Sequence, residues 1–223
     1  METPRILDLF NALRRPMPWP SRLYDGHAGK ADAFVVTRAE LRALATSMAA
    51  DLHRLGVGHG DCVGVWLPNW STGVAAQLAA LSLGAHVIGI NTRYNTDEVA
   101  HVLDMAHPRA ILIAHDFNRL DPLGTLRTTL TQCQAEAPVM IVVAASGQPP
   151  VEDIAPYDFG CGAQSFPNAP SGNFVELAPC PAPALATAFT TSGSTGRSKL
   201  GADDVVLGAL PSGVFGYTPA MAG

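Results

Sequence analysis

The residues best suited to chemistry lie together in Thr190-Thr191-Ser192-Gly193-Ser194-Thr195-Gly196-Arg197-Ser198-Lys199. The stretch concentrates hydroxyls and glycines and ends on a lysine. Glycine lets the backbone bend so that several N–H groups converge on one anion. The hydroxyls add donors, and the Lys199 ammonium adds positive charge. Those are the requirements of a phosphate cradle. The spacing is not that of a Walker A loop, which needs glycine directly before the lysine; Ser198 stands there. It is not G-x-G-x-x-G either, because Gly193 and Gly196 are its only glycines. Composition alone leaves a Ser/Gly linker with an incidental lysine as the alternative.

A cradle needs a platform. The apolar run Ala184 to Phe189 reads as a buried strand that ends at this loop. Upstream, strands and helices alternate. Ala33 to Thr37 reads as a short strand. Thr37-Arg38-Ala39-Glu40 has the form of a capping box, followed by Leu41, Leu44, Ala45, Met48, Leu52 and Leu55 at helical spacing. Gly56 and Gly58 stop that helix. Asp61 to Leu67, Ala85 to Ile90, Ala110 to Ala114 and Val139 to Val143 read as buried strands. Between them, Ser71 is expected to cap a helix through Leu83. Thr96 is expected to cap one ended by His107-Pro108, and Leu120 to Cys133 reads as a further helix. This alternation predicts an α/β domain with a mainly parallel sheet flanked by helices. Binding loops in such sheets lie beyond the carboxyl ends of strands, which is where 190–199 falls.

Composition narrows the function. Among 223 residues, 48% are apolar and 15% charged, so a substantial buried core or a partner surface is expected. A net charge of −5, with Lys and Arg scattered, argues against nucleic-acid binding. Cys62, Cys133, Cys161 and Cys180 form no C-x-x-C pair, and no histidine cluster has ligand spacing. No metal site is expected, and reduced thiols in a cytoplasmic protein are the simplest reading. Residues 1–13 carry Glu2 and Asp8 and resemble no signal peptide, and no membrane span is expected. An amphipathic helix is expected over Ile6 to Leu13, before a Pro-rich lead-in.

The order of residues in the loop goes beyond composition. Thr191-Ser192-Gly193-Ser194-Thr195-Gly196-x-x-Lys199 resembles the phosphate-binding signature T-S-G-[ST]-T-G-x-P-K of the adenylate-forming (AMP-binding) superfamily. That group comprises acyl-CoA synthetases, luciferases and peptide-synthetase adenylation domains. Only the proline place differs, filled here by Ser198. Phe34 to Asn69 and Gln77 to Asp104 resemble the superfamily's entry region. Ile90-Asn91-Thr92-Arg93-Tyr94 is closer to the acyl- and aryl-CoA synthetases than to the peptide synthetases.

The resemblance implies the N-terminal part of an ATP-dependent acid–CoA ligase. In that chemistry a carboxylic acid and ATP give acyl-AMP and pyrophosphate, and CoA then displaces AMP. Thr191, Ser192, Gly193, Ser194, Thr195, Gly196 and Lys199 would hold the ATP phosphates, with Mg²⁺ offsetting their charge. Asp203 to Leu207 would be the next strand. Gly213, Val214, Phe215 and Gly216 would form a turn lining the acyl pocket.

Two departures accompany the resemblance. Only Leu200, Gly201 and Ala202 separate Lys199 from Asp203, too few for a parallel crossover. The ribose-holding aspartate, the hinge and the C-terminal domain's lysine have no counterparts among these residues, so the chain alone is expected not to form acyl-AMP. A non-catalytic nucleotide-binding or interaction domain is the alternative. The expected divisions are 1–32 as lead-in, 33–145 as an α/β subdomain, 146–183 as a surface connection with room for one short strand, and 184–223 as the loop segment with the start of a further subdomain.

Overall fold

The computed structural model describes residues 22–25, 34–117, 120–133, 136–166, 187–190 and 200–201. The expected helix over 6–13 lies outside them. The elements in chain order are β1 (Arg22–Asp25), β2 (Phe34–Thr37), α1 (Arg38–Arg54), β3 (Cys62–Trp66), α2 (Ser71–Ser82), β4 (His86–Gly89), α3 (Thr96–Ala106), β5 (Ala110–Ala114), α4 (Pro122–Cys133), β6 (Val139–Val143), a 3₁₀ turn (Ala155–Tyr157), β7 (Ala163–Phe166), β8 (Thr187–Thr190) and β9 (Leu200–Gly201).

β1 and β2 form an antiparallel pair. The main sheet has the order β7-β6-β5-β3-β4-β8-β9. Every pairing from β7 to β8 is parallel, and β9 alone runs antiparallel, against β8. β3, β5 and β6 are apolar on both faces because both faces are covered. Alternation along the strands assigns each side chain to a layer. Val63, Val65, Leu112, Ile141 and Val143 pack against Met48 and Leu52 of α1 and Ala76, Ala79 and Ala80 of α2. Trp66, Ile88, Ile111, Ile113, Met140 and Val142 pack on the other face against Val99, Val102 and Leu103 of α3 and Leu126 of α4. Burying each of the larger aliphatics contributes about 1.5–3 kcal/mol. Two helices on each face follow from right-handed crossovers: β3 to β4 moves one way along the sheet, β4 to β5 the other.

Local signals set the helix ends. Thr37 Oγ1 accepts from the Glu40 N–H at 3.2 Å, and Glu40 Oε2 accepts from the Thr37 N–H at 2.7 Å, completing the expected capping box. The Thr37 N–H and, second to it, the Thr37 hydroxyl, which donates to the same Oε2 at 2.8 Å, hold the Glu40 carboxyl below its usual range. Two expected caps are shifted by one residue. Asn95, not Thr96, caps α3: its Oδ1 accepts from the Glu98 N–H at 3.0 Å, and Glu98 Oε2 accepts from the Asn95 N–H at 2.9 Å. Asn95 is extended at φ −80°, ψ 178°, whereas Thr96 is already helical. Ser71 is likewise the first residue of α2, and the capping position falls to Trp70, which makes no side-chain cap. His107 ends α3 in the left-handed region at φ 41°, and Pro108 prevents continuation.

The span 146–183, read as a connection with room for one short strand, contributes β7 to the sheet as the parallel neighbour of β6. The short step after Lys199 needs no crossover at β9, because the chain turns straight back on β8. The predicted strand at 203–207 lies outside the described residues.

Candidate functional site at the carboxyl edge of the sheet

Three features of the carboxyl edge bear on function, beginning with the root of the loop. β8 and β9 meet with Phe189 opposite Gly201 and Thr190 opposite Leu200. Both ends of 191–199 are therefore tied to one rung of a hairpin. β8 pairs in parallel with β4, Val87 beside Thr187 and Ile88 beside Ala188. Carried two residues on, that register sets Ile90 beside Thr190. Thr191, Ser192, Gly193, Ser194, Thr195, Gly196 and Lys199 themselves lie outside the described residues, as do Gly213, Val214, Phe215 and Gly216.

The chain leaving β4 is ordered by its own turn. Ile90 N–H donates to Val65 O at 2.9 Å, and Tyr94 N–H donates to Asn91 O at 3.0 Å. Asn91 Oδ1 accepts from the Arg93 N–H at 3.0 Å. Asn95 then starts α3 through its capping box. The segment Asn91-Thr92-Arg93-Tyr94, singled out in the sequence, is thus a short turn beside the root of the loop.

The second feature is the point where the sheet reverses its winding. The loop after β3 leads to α2 on one face, and the loop after the adjacent β5 leads to α4 on the other. Such a point opens a crevice. Here two aromatics meet across it: Trp70 and Phe117 stack edge to face, with centroids 5.8 Å apart and planes at 86°. Beside them His115 Nδ1 and the Tyr157 hydroxyl lie 2.8 Å apart. Burial pushes the Tyr157 hydroxyl pKa up, and the carboxylates of Asp116, Asp121 and Asp153 push it the same way. A cleft of about 720 Å³ opens there, with Asp116, Glu152 and Asp153 on its walls. Acidic walls disfavour a polyphosphate. The His115–Tyr157 pair had no local sequence signal, because its members are 42 residues apart and Tyr157 ends a single 3₁₀ turn.

The third feature is a cleft of about 410 Å³ between the first turns of α1 and α2. Val36, Leu44, Val143 and Phe166 line it, with Glu40 and Thr72 among its polar groups. Nothing in the sequence marked it, since its walls come from five separate elements, β2, α1, α2, β6 and β7.

Among the described residues no group of three or more His, Cys, Asp and Glu could hold a metal ion. Nor is any helix among them long and apolar enough to cross a membrane. Cys62 is 4% exposed, and burial raises its thiol pKa to about 12, as befits a core cysteine rather than a nucleophile.

Residues 24–200 match the family described as AMP-binding enzyme. The chain belongs to the AMP-binding enzyme family. Among individual relatives of this family, the 7a-methyl-1,5-dioxo-octahydro-1H-inden-4-yl-propanoyl:CoA ligase of Mycobacterium tuberculosis is 33% identical over 163 residues, covering 73% of this chain and 30% of the ligase. The apo structure of MatB from Rhodopseudomonas palustris superposes with a TM-score of 0.58 at 22% identity, over 88% of this chain and 34% of that one. The anthranilate CoA ligase AuaEII, in complex with anthranoyl-AMP, gives a TM-score of 0.59 at 19% identity, over 88% of this chain and 34% of that one. These structural likenesses carry the α/β fold of the AMP-binding enzymes. The chain spans less than a third of the length of the curated relatives it matches.

Proposed function

We propose that this chain is the N-terminal, phosphate-holding part of an ATP-dependent acid–CoA ligase. The observation that carries the reading is the signature Thr191-Ser192-Gly193-Ser194-Thr195-Gly196-x-x-Lys199 strung between Thr190 and Leu200, which are paired on one rung beside β4. A loop with both ends fixed loses less entropy when it closes on a ligand.

In the proposed reaction a carboxylate oxygen attacks the α-phosphorus of ATP, and the bond to the β-phosphate oxygen breaks. Acyl-AMP and pyrophosphate result. The CoA sulfur then attacks the acyl carbon and AMP leaves. The proposed task of this chain is to hold the β- and γ-phosphates. Backbone N–H groups near Gly193 and Gly196, the hydroxyls of Thr191, Ser192, Ser194 and Thr195, and the Lys199 ammonium donate to phosphate oxygens. Mg²⁺ enters bound to the nucleotide and offsets its charge. Positioning and stabilisation of the departing pyrophosphate are the catalytic contributions. Gly213, Val214, Phe215 and Gly216 are proposed as a wall of the acyl pocket. The acyl-CoA branch is favoured by Ile90-Asn91-Thr92-Arg93-Tyr94 and by the ligase among the relatives.

The experiment is a pair of measurements on the purified chain. Calorimetric titration with ATP and Mg²⁺ reads phosphate binding, and pyrophosphate–ATP exchange with a panel of acids reads adenylation. Binding is expected, and Lys199→Ala is expected to weaken it about 10- to 100-fold, as fits loss of a charged hydrogen bond. Because the chain spans 30% of the ligase it resembles, acid-dependent exchange is not expected from it alone. Binding that is absent, or indifferent to Lys199→Ala, refutes the phosphate-holding role. Clear exchange by the 223-residue chain refutes the assignment of the remaining chemistry to other residues.

A further inference from the structure

Residues 1–21 precede β1, and the register of the β1–β2 pair fixes where the chain arrives. Arg22 lies opposite Thr37 and Leu23 opposite Val36. The chain therefore enters β1 beside Thr37, where α1 begins. Val36 and Glu40, on either side of Thr37, line the 410 Å³ cleft. Its apolar walls are Val36, Val143 and Phe166, which are buried, and Ala43, Leu44 and Ala145, which are exposed or half-buried. Ala43 and Ser47 are small and one turn apart on α1, so a second helix can lie against that side at about 8–10 Å.

The residues that arrive there match the cleft. Ile6, Leu9, Phe10 and Leu13 recur at i, i+3, i+4 and i+7, the anchor spacing of a helix laid in an apolar groove. Asp8 and Asn11 fall on the opposite side of such a helix. Arg14 and Arg15 follow directly, and Glu40 is the one charged residue among the described residues that line the cleft. Residues 14–21 include Pro16, Pro18 and Pro20; at the polyproline rise of about 3.1 Å per residue they span about 25 Å, ample for a tether fixed beside Thr37. Other described surfaces fit the stripe less well. The 720 Å³ cleft has acidic walls, and the exposed large apolar side chains Val35, Met105 and Leu120 lie far apart in the chain and single. We propose that the segment Ile6–Leu13 of this same chain docks in the 410 Å³ cleft as a helix, its stripe against Ala43, Leu44 and Ala145 and its following arginines towards Glu40.

Docking within one chain needs little intrinsic affinity, because a short tether holds the segment at a millimolar effective concentration. The docked segment also braces the loop after β6. Ala144, Ala145 and Gln148 of that loop line both this cleft and the 720 Å³ cleft beside His115 and Tyr157. The N-terminal segment thus steadies the wall that the two clefts share at the carboxyl edge.

The test uses the full 223-residue chain. Methyl NMR is expected to show nuclear Overhauser contacts from the Phe10 ring to the Leu44 and Ala145 methyls. In a mixture of two differently labelled samples, no such contact should cross between copies. Trypsin cleavage at the Arg14–Arg15 bond reads the undocked fraction. Phe10→Asp should speed that cleavage about 10- to 100-fold, as fits loss of one buried aromatic anchor. Asn11→Asp adds the same charge on the opposite side and should leave the rate unchanged. Ala43→Asp, at an exposed position of α1 on the cleft, should speed cleavage as Phe10→Asp does, and the two together should speed it no further. Unmoved methyl signals of the buried Val63 and Ile88 show that each variant is folded. Lys199→Ala should change none of these readings, so this inference stands or falls apart from the ATP reading. No contact from Phe10 to the cleft, contacts that cross between copies, equal rates for Phe10→Asp and Asn11→Asp, or indifference to Ala43→Asp would overturn the proposal.

Discussion

Replacing Gly64 by alanine tests the packing that holds the centre of the sheet. Gly64 lies in β3, in register with Ile88 on β4 and Ile111 on β5. A Cβ built there would sit 2.8 Å from Ile111 Cγ1 and 3.4 Å from Ile90 Cδ1. Carbon atoms pack best at about 3.5–4.0 Å, so the first contact is about 0.7 Å too close. Ile111 and Ile90 are both fully buried and have nowhere to retreat. Two effects oppose each other. Alanine relieves glycine's backbone entropy cost, a gain of about 0.5–1 kcal/mol. Overpacking costs about 1–3 kcal/mol. Overpacking wins, and Gly64→Ala should destabilise the chain by about 1–2 kcal/mol. Urea denaturation should show a lower midpoint with an unchanged slope. The partner substitution sharpens the test. Ile111→Ala removes the clashing Cγ1 and alone costs about 2–5 kcal/mol. In that background Gly64→Ala should become neutral or stabilising, a coupling of about 1–3 kcal/mol. Gly64→Ala that stabilises the wild-type chain, or costs the same in both backgrounds, would refute the reasoning.

Asn95→Ala removes the reciprocal cap of α3 and should cost about 1 kcal/mol by chemical denaturation. For Cys62, burial raises the thiol pKa to about 12. Between pH 9 and 12 the unfolded chain releases this proton while the folded chain keeps it. Stability from this group is thus complete below pH 9 and falls by up to about 1.4 kcal/mol per pH unit above it; Cys62→Ser should flatten that limb in pH-dependent denaturation. In native chain, a thiol reagent at pH 8 should modify exposed Cys161 well before Cys62.

Much of this architecture was legible because it rests on short-range chemistry. Continuous apolar runs such as Ala110–Ala114 and Val139–Val143 can be buried only between two layers, which calls for a parallel sheet. Thr37-x-x-Glu40 started α1 where the capping box predicts. The cap of α3 was misplaced by one residue because Asn95 and Thr96 are both good caps. Geometry chose Asn95, whose side chain can reach the Glu98 N–H. β7 was less legible: Ala163-Gln164-Ser165-Phe166 is short and half polar, and only the open edge of β6 makes it a strand.

The sequence by itself determined the family-bearing feature. The order of hydroxyls, glycines and lysine in 191–199 is a local property, and phosphate chemistry depends on that order. Tertiary structure decided what lies around it. Pairing of Thr190 with Leu200 makes the stretch a hairpin loop rather than the start of a crossover. The same sheet brings His115 to Tyr157, and joins the first turns of α1 and α2 around Thr72. Those juxtapositions join residues tens of positions apart. They depend on strand order, which no local pattern encodes, because order follows from which apolar faces can be covered at once.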